Sequence, residues 1–243
     1  MNLLAPSRNA SRYIRWLIGL LRLGVVKRYP LDKTIAVSGH TFGSNGSHFF
    51  IEALRIRDQG GSISEFLQRY YSLNEVQPYF QVVGFPIKNE YRQYYFLPWE
   101  QDKFKTIERH SFSHKFGPTP PSALPKIVDR LLAIEKKIRI EGFQQFSRLD
   151  GILRVTPMVG ENGETKFLVL EGQHRSAVLS ALGITHAYYM TSAAYLGQLR
   201  RQKPIDVREV KDWPMVKSGV TTESQAITYF NKVFYDELSV HVS

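Results

Sequence analysis

The stretch Leu168-Val169-Leu170-Glu171-Gly172-Gln173-His174-Arg175-Ser176-Ala177-Val178-Leu179-Ser180-Ala181-Leu182-Gly183-Ile184 constrains the fold more than any other part of the chain. A short apolar run stops at an acid and a glycine, and the pattern then changes to a helical period. This order predicts a buried strand, a tight turn at Gly172 and a short helix ended by Gly183, with Val178 and Leu182 on its buried face. His174 and Arg175 fall in the first helical turn. Cations there oppose the helix dipole by a few tenths of a kcal/mol. That local cost makes sense if an anion shares the site, and phosphate is the natural one. Glu171, just before the turn, can orient the imidazole, meet a metal ion or act as a base.

The flanking sequence supplies partners for this unit. Gly117-Pro118-Thr119-Pro120-Pro121-Ser122-Ala123-Leu124-Pro125 is the strongest internal boundary signal. A helix is expected over 125–141, with Ile127, Leu131, Leu132, Ile134 and Ile138 apolar and Gly142 ending it. Strands are expected over 151–155, 166–170 and 186–190, the first two joined through an Asn162-Gly163 turn. Residues 62–72 read as a helix capped by Ser62 or Ser64, and about 222–238 as another that opens at Thr221 or Thr222. Residues 79–98 are rich in Tyr, Phe and Val and read as short strands. The Gly/Ser-rich run 38–48 reads as a surface loop and lacks the Gly-Lys-Ser/Thr ending of a P-loop.

The central segment resembles the signature of the ParB/sulfiredoxin superfamily, an acid-Gly-x-His-Arg-x-x-Ala pattern followed by Leu-Gly. The matching residues are Glu171, Gly172, His174, Arg175, Ala177, Leu182 and Gly183, and the resemblance covers about residues 106–190. It implies a ParB/sulfiredoxin-like mixed α/β core at 106–190; with the basic amphipathic helix read at 1–30, an α/β extension at 31–105 and a C-terminal extension at 191–243 ending in a helix, the expected fold class is α+β. It also implies a nucleotide cradle made of Gly172, Gln173, His174, Arg175 and Ser176, with Glu171 and His174 as catalytic candidates. Sulfiredoxin members carry a reactive Cys where this chain has Gln173, and the chain has no Cys at all. Cysteine-sulfinate reduction is therefore excluded. Chromosome-partition members continue into a helix-turn-helix, whereas only one convincing helix is expected after Met190. The remaining branch is that of free-amino-acid kinases.

Charge bears on partners. The chain has 243 residues and a formal net charge of +10. Arg8, Arg12, Arg15, Arg22, Lys27 and Arg28 fall in the first 30 residues, where there is no acid, so the rest carries only +4. Such a body is not the basic surface of a sequence-reading DNA binder. Ile14, Leu17, Ile18, Leu21 and Val25 share one helical face beside the arginine stripe. The segment 8–26 therefore reads either as an interfacial helix on anionic membrane, as a helix docked on the core, or as a contact for a partner protein. Arg15 and Arg22 break the run too early for a membrane span or a secretory signal.

The expected function is a nucleotide-dependent phosphotransferase using ATP or ADP (CTP as a variant) with Mg²⁺. Its acceptor would be a small hydroxylated molecule such as a sugar, polyol or amino acid, in a setting such as surface-glycan assembly. The expected place is the cytoplasm or the inner face of the membrane. The alternatives are a non-catalytic nucleotide-binding switch and a nucleic-acid-binding or nuclease protein. Asp129 and Glu135 are carboxylates that the helix brings near the turn, though neither is assigned as the base. His110 and His114 would need a helix to share a metal, and Gly117-Pro118 argues against one, so no metal ligand is assigned. Trp99-Glu100 reads as structural or substrate-contacting, and Asp212-Trp213-Pro214 as packing.

Overall fold

In the computed structural model, residues 26–73, 94–95, 97–100, 105–106, 121–143, 153–195, 198–201 and 203–235 are described. The basic segment 8–25, the aromatic run 79–93 and the His110/His114 pair lie outside them. The structure is mixed α/β. A mixed sheet is built from β1 (Val26–Pro30), β2 (Thr34–Ile35), β5 (Leu153–Val159), β6 (Thr165–Glu171), β7 (His186–Met190) and β10 (Ile205–Asp206). Their order is β1-β7-β5-β6-β2, with β10 beside β5. The β5–β6 hairpin is antiparallel and turns at 160–164, as Asn162-Gly163 predicts. β7 runs parallel to β5, β2 parallel to β6, and β1 antiparallel to β7. Two small ladders lie apart from this sheet: β3 (Tyr94–Tyr95) with β4 (Lys105–Thr106), and β8 (Ser192–Tyr195) with β9 (Gln198–Arg201).

Strand alternation divides the interior in two. Leu153, Val155 and Val169 face one way, into a core shared with α1 (Phe49–Asp58), α2 (Ile63–Leu73), α3 (Leu124–Glu141) and α4 (Gln173–Ala181). Met158 and Leu168 face the other way. There they meet a 3₁₀ segment (Val207–Asp212), α5 (Pro214–Lys217) and α6 (Glu223–Phe234). The sheet is thus covered on both sides, which explains why β6 reads as a continuous apolar run.

Local chemistry sets the element ends. In α3, Ile127, Val128, Leu131, Glu135 and Ile138 form the buried stripe, and the helix stops at Gly142 as expected. α2 begins where Ser62 Oγ accepts the Glu65 N–H at 3.2 Å. α6 opens with a full capping box between Thr222 and Gln225. The loop 38–48 departs from expectation, because it is packed inside. His40 and His48 are buried, and His48 Nδ1 accepts the Phe50 N–H to cap α1. The Gly43 N–H reaches Ser180 Oγ on α4 at 2.8 Å. Gly46 lies so close to the backbone that an added Cβ would stand 2.5 Å from the Thr41 carbonyl oxygen. Gly39, Gly43 and Gly46 are buried in this packing, and the loop is exposed at Ser44 and Asn45. Among the described residues, no helix is long and apolar enough to cross a membrane.

Candidate phosphate site at the start of α4

The turn between β6 and α4 is held by sterics. Gly172 is the N-cap of α4 with φ 100° and ψ 21°, in the left-handed region. An added Cβ would come 2.2 Å from Leu153 Cδ2 and 3.6 Å from Arg175 Nη2. Any other residue would strain the left-handed backbone and displace the Leu153 side chain, and the Arg175 guanidinium hangs over the turn. The helical ladder begins with the Ser176 N–H to the Gly172 carbonyl at 2.8 Å. The N–H groups of residues 173–175 precede that first bond and point out of the helix start. No side chain caps them at Gly172.

A pocket of about 310 Å³ opens at this helix start. Glu171, Gly172, Gln173, His174 and Arg175 line it together with Arg130 from α3. Five of the six residues singled out in the sequence thus share one pocket. Ser176 does not join them. It is fully buried, and its hydroxyl lies 3.4 Å from the Tyr189 hydroxyl inside the core. Burial pushes the Tyr189 phenol up to about 12, partly offset by hydrogen bonds from Ser176 and Thr34.

Gln173 is only 4% exposed, and neither its amide oxygen nor its amide nitrogen has a hydrogen-bond partner. A buried amide without partners costs roughly 1–3 kcal/mol. His174 is 5% exposed, and its ring packs on Phe50 at 4.4 Å between centroids. Phe50 belongs to the helix that His48 caps, so the buried loop 38–48 fixes the wall behind His174.

The charge of the pocket suits an anion. Glu171 is exposed and paired with Arg154 at 2.8 Å, which offsets its charge. Arg130 is exposed and makes no ion pair among the described residues. With Arg175 it leaves the pocket cationic. Arg130 and Arg154 were not singled out from the sequence. A helical wheel places Arg130 and Ile134 on one stripe of α3, but only tertiary packing turns that stripe toward Gly172. Glu135 lies elsewhere. Its carboxylate is buried between Arg57 of α1 and Arg139, each within hydrogen-bond reach, and the Arg57 guanidinium holds its pKa below the usual value. It is a structural anchor and lines neither this pocket nor the one described next.

A second pocket, of about 520 Å³, lies between the sheet and the C-terminal segment. Trp99, Glu100, Asp212 and Trp213, all flagged in the sequence, meet there with Thr156 and Lys203. Leu170 lines both pockets. Comparison with protein-family models, curated proteins and solved structures found no match to this chain.

Proposed function

We propose that the chain is a ParB/sulfiredoxin-like, nucleotide-dependent phosphotransferase. The observation that carries this reading is the pocket at Gly172, where a helix start, two arginines and an unpartnered buried amide converge. Backbone N–H groups of 173–175 and the Arg175 and Arg130 guanidiniums would hold the phosphates of ATP or ADP. His174 stands in the same wall, and the Gln173 amide would find its missing partners on the bound nucleotide. Mg²⁺ takes few protein ligands at such sites, and Glu171 is the carboxylate at the pocket that would complete its shell beside the phosphates.

In the reaction, the acceptor hydroxyl oxygen forms a bond to the terminal phosphorus as the bridging P–O bond breaks. The nucleotide leaves with one phosphate fewer, and the hydroxyl proton passes to a carboxylate. The chain's part is mostly positioning and charge neutralisation, which is where such catalysts gain their rate.

Calorimetry with ATP, ADP and CTP tests the reading. Arg175→Ala and Arg130→Ala should each weaken nucleotide binding about tenfold, equal to about 1.4 kcal/mol. Unchanged affinity in both folded variants rejects the site. Binding without transfer of label from [γ-³²P]ATP to any hydroxylated acceptor would instead favour the switch-module reading.

A further inference from the structure

The second pocket has its own chemistry, and we infer that it binds a small polyhydroxylated molecule without anionic charge, such as a sugar or polyol. One buried group in its lining lacks a partner, and one carboxylate stands unpaired beside it. Thr156 is 1% exposed, and its hydroxyl has no hydrogen-bond partner. It stands on the face of β5 that looks away from the first pocket's helices, opposite Leu168 of β6. Its β5 neighbour Met158 and its cross-strand partner Leu168 belong to the apolar core, so a hydroxyl without a partner there is a polar atom in a costly place. Glu100 is half-buried, and its carboxylate makes no ion pair or side-chain hydrogen bond among the described residues.

The rest of the lining selects the class of molecule. Trp99 and Trp213 meet edge to face at 5.4 Å and give the pocket an aromatic wall, which suits the apolar C–H faces of a sugar ring. Of the three lining carboxylates, Glu209 pairs with Lys203 at 2.6 Å and Asp212 with Lys217 at 3.0 Å, which leaves Glu100 as the one without an ion-pair partner among the described residues. The uncompensated charge of the lining is therefore the Glu100 carboxylate, which accepts from hydroxyl donors and disfavours phosphates and carboxylates beside it. Its volume lies within the usual range for small-molecule sites, roughly 300–1,000 Å³. The two pockets share Leu170 in their linings, so a nucleotide at the two arginines of the first would lie beside an uncharged acceptor at Glu100 of the second. As the acceptor site this pocket rests on the phosphotransferase reading; as a binding site it stands without nucleotide.

The test is calorimetric titration of the full chain, without nucleotide, with glucose, glucosamine, myo-inositol and glucose 6-phosphate. At least one of the first three should bind with Kd below about 10 mM, and glucose 6-phosphate at least about tenfold more weakly than glucose. Glu100→Gln keeps size and removes charge, and Thr156→Val keeps shape and removes the hydroxyl. Each should weaken binding about tenfold. Thr156→Val removes a buried unpartnered group, so its melting temperature should hold or rise, which separates a binding role from a structural one. Absence of binding by all four probes overturns the inference. So does equal affinity for the phosphate ester, or unchanged affinity in both variants. ATP titration of the same protein keeps the two readings apart. Sugar binding without ATP binding sinks only the phosphotransferase, and ATP binding without sugar binding sinks only this pocket.

Discussion

A methyl group at residue 172 meets two obstacles. The backbone there sits at φ 100°, and the Leu153 side chain occupies the space. Gly172→Ala should lower stability by about 2–4 kcal/mol, read as a shift in the urea midpoint at constant slope. Its neighbour is expected to behave oppositely. Gln173→Leu replaces an unpartnered amide with an apolar side chain of similar size, so the free protein should lose nothing and gain up to about 1 kcal/mol, while ATP affinity falls. A large loss of stability in Gln173→Leu would show that the amide is used by the fold. Both positions were legible in the sequence, because a glycine between an apolar run and a helical pattern announces its own conformation. The burial of Gln173 and His174 was not legible. It depends on Phe50, more than 100 residues away, being delivered by a loop whose Gly and Ser residues look like surface in isolation.

Between elements, the Arg57–Glu135–Arg139 group ties α1 to α3. Glu135→Gln leaves two guanidiniums facing a neutral amide. With Arg139 half exposed, solvent screening limits the expected loss to about 1–3 kcal/mol at neutral pH. The pH dependence follows from the lowered pKa, caused first by the Arg57 hydrogen bond. The unfolded carboxyl, near 4.5, takes its proton more readily than the folded one. The stabilising effect is therefore complete above that value and fades as pH falls through the folded value. Urea midpoints of wild type and variant should stay apart from about pH 7 to 5 and converge below. A gap that widens with acid would contradict this account. The helices expected over 62–72 and 125–141, the start of the one expected from 222, and the strands around the 160–164 turn were legible because periodicity and caps agree there; the structure has them at Ile63–Leu73, Leu124–Glu141 and Glu223–Phe234, and 236–238 lie outside the described residues. The short pieces were not. β2, β10 and the 3₁₀ segment 207–212 carry too few residues for a period, and only the sheet edge or core they meet gives them form.

At the scale of the whole molecule, nucleotide binding should raise the melting temperature. A ligand at about 100 times its Kd adds about 2.7 kcal/mol, and the gain should vanish in Arg175→Ala. Salt should weaken binding, since the first pocket works by charge. The arginine stripe of residues 8–26 predicts co-sedimentation with anionic vesicles that falls with salt and is lost in Arg12→Glu plus Arg15→Glu. Vesicle binding by that double variant equal to wild type would remove the membrane reading and leave docking on the core or a protein partner.

The sheet order has a consequence for synthesis on the ribosome. The β5–β6 hairpin closes over a few residues and can form early, but β1 must wait for β7, some 160 positions later, and β10 emerges after both. Until then β5 presents one bare edge, and Val26–Pro30 has nothing to pair with. The wait is long only for Val26–Pro30; the side of β5 that takes β7 is bare for about 27 residues of elongation, from Val159 to His186. Fragments cut to residues 106–190 should aggregate for the same reason, since they carry the hairpin and β7 without the strands that flank them.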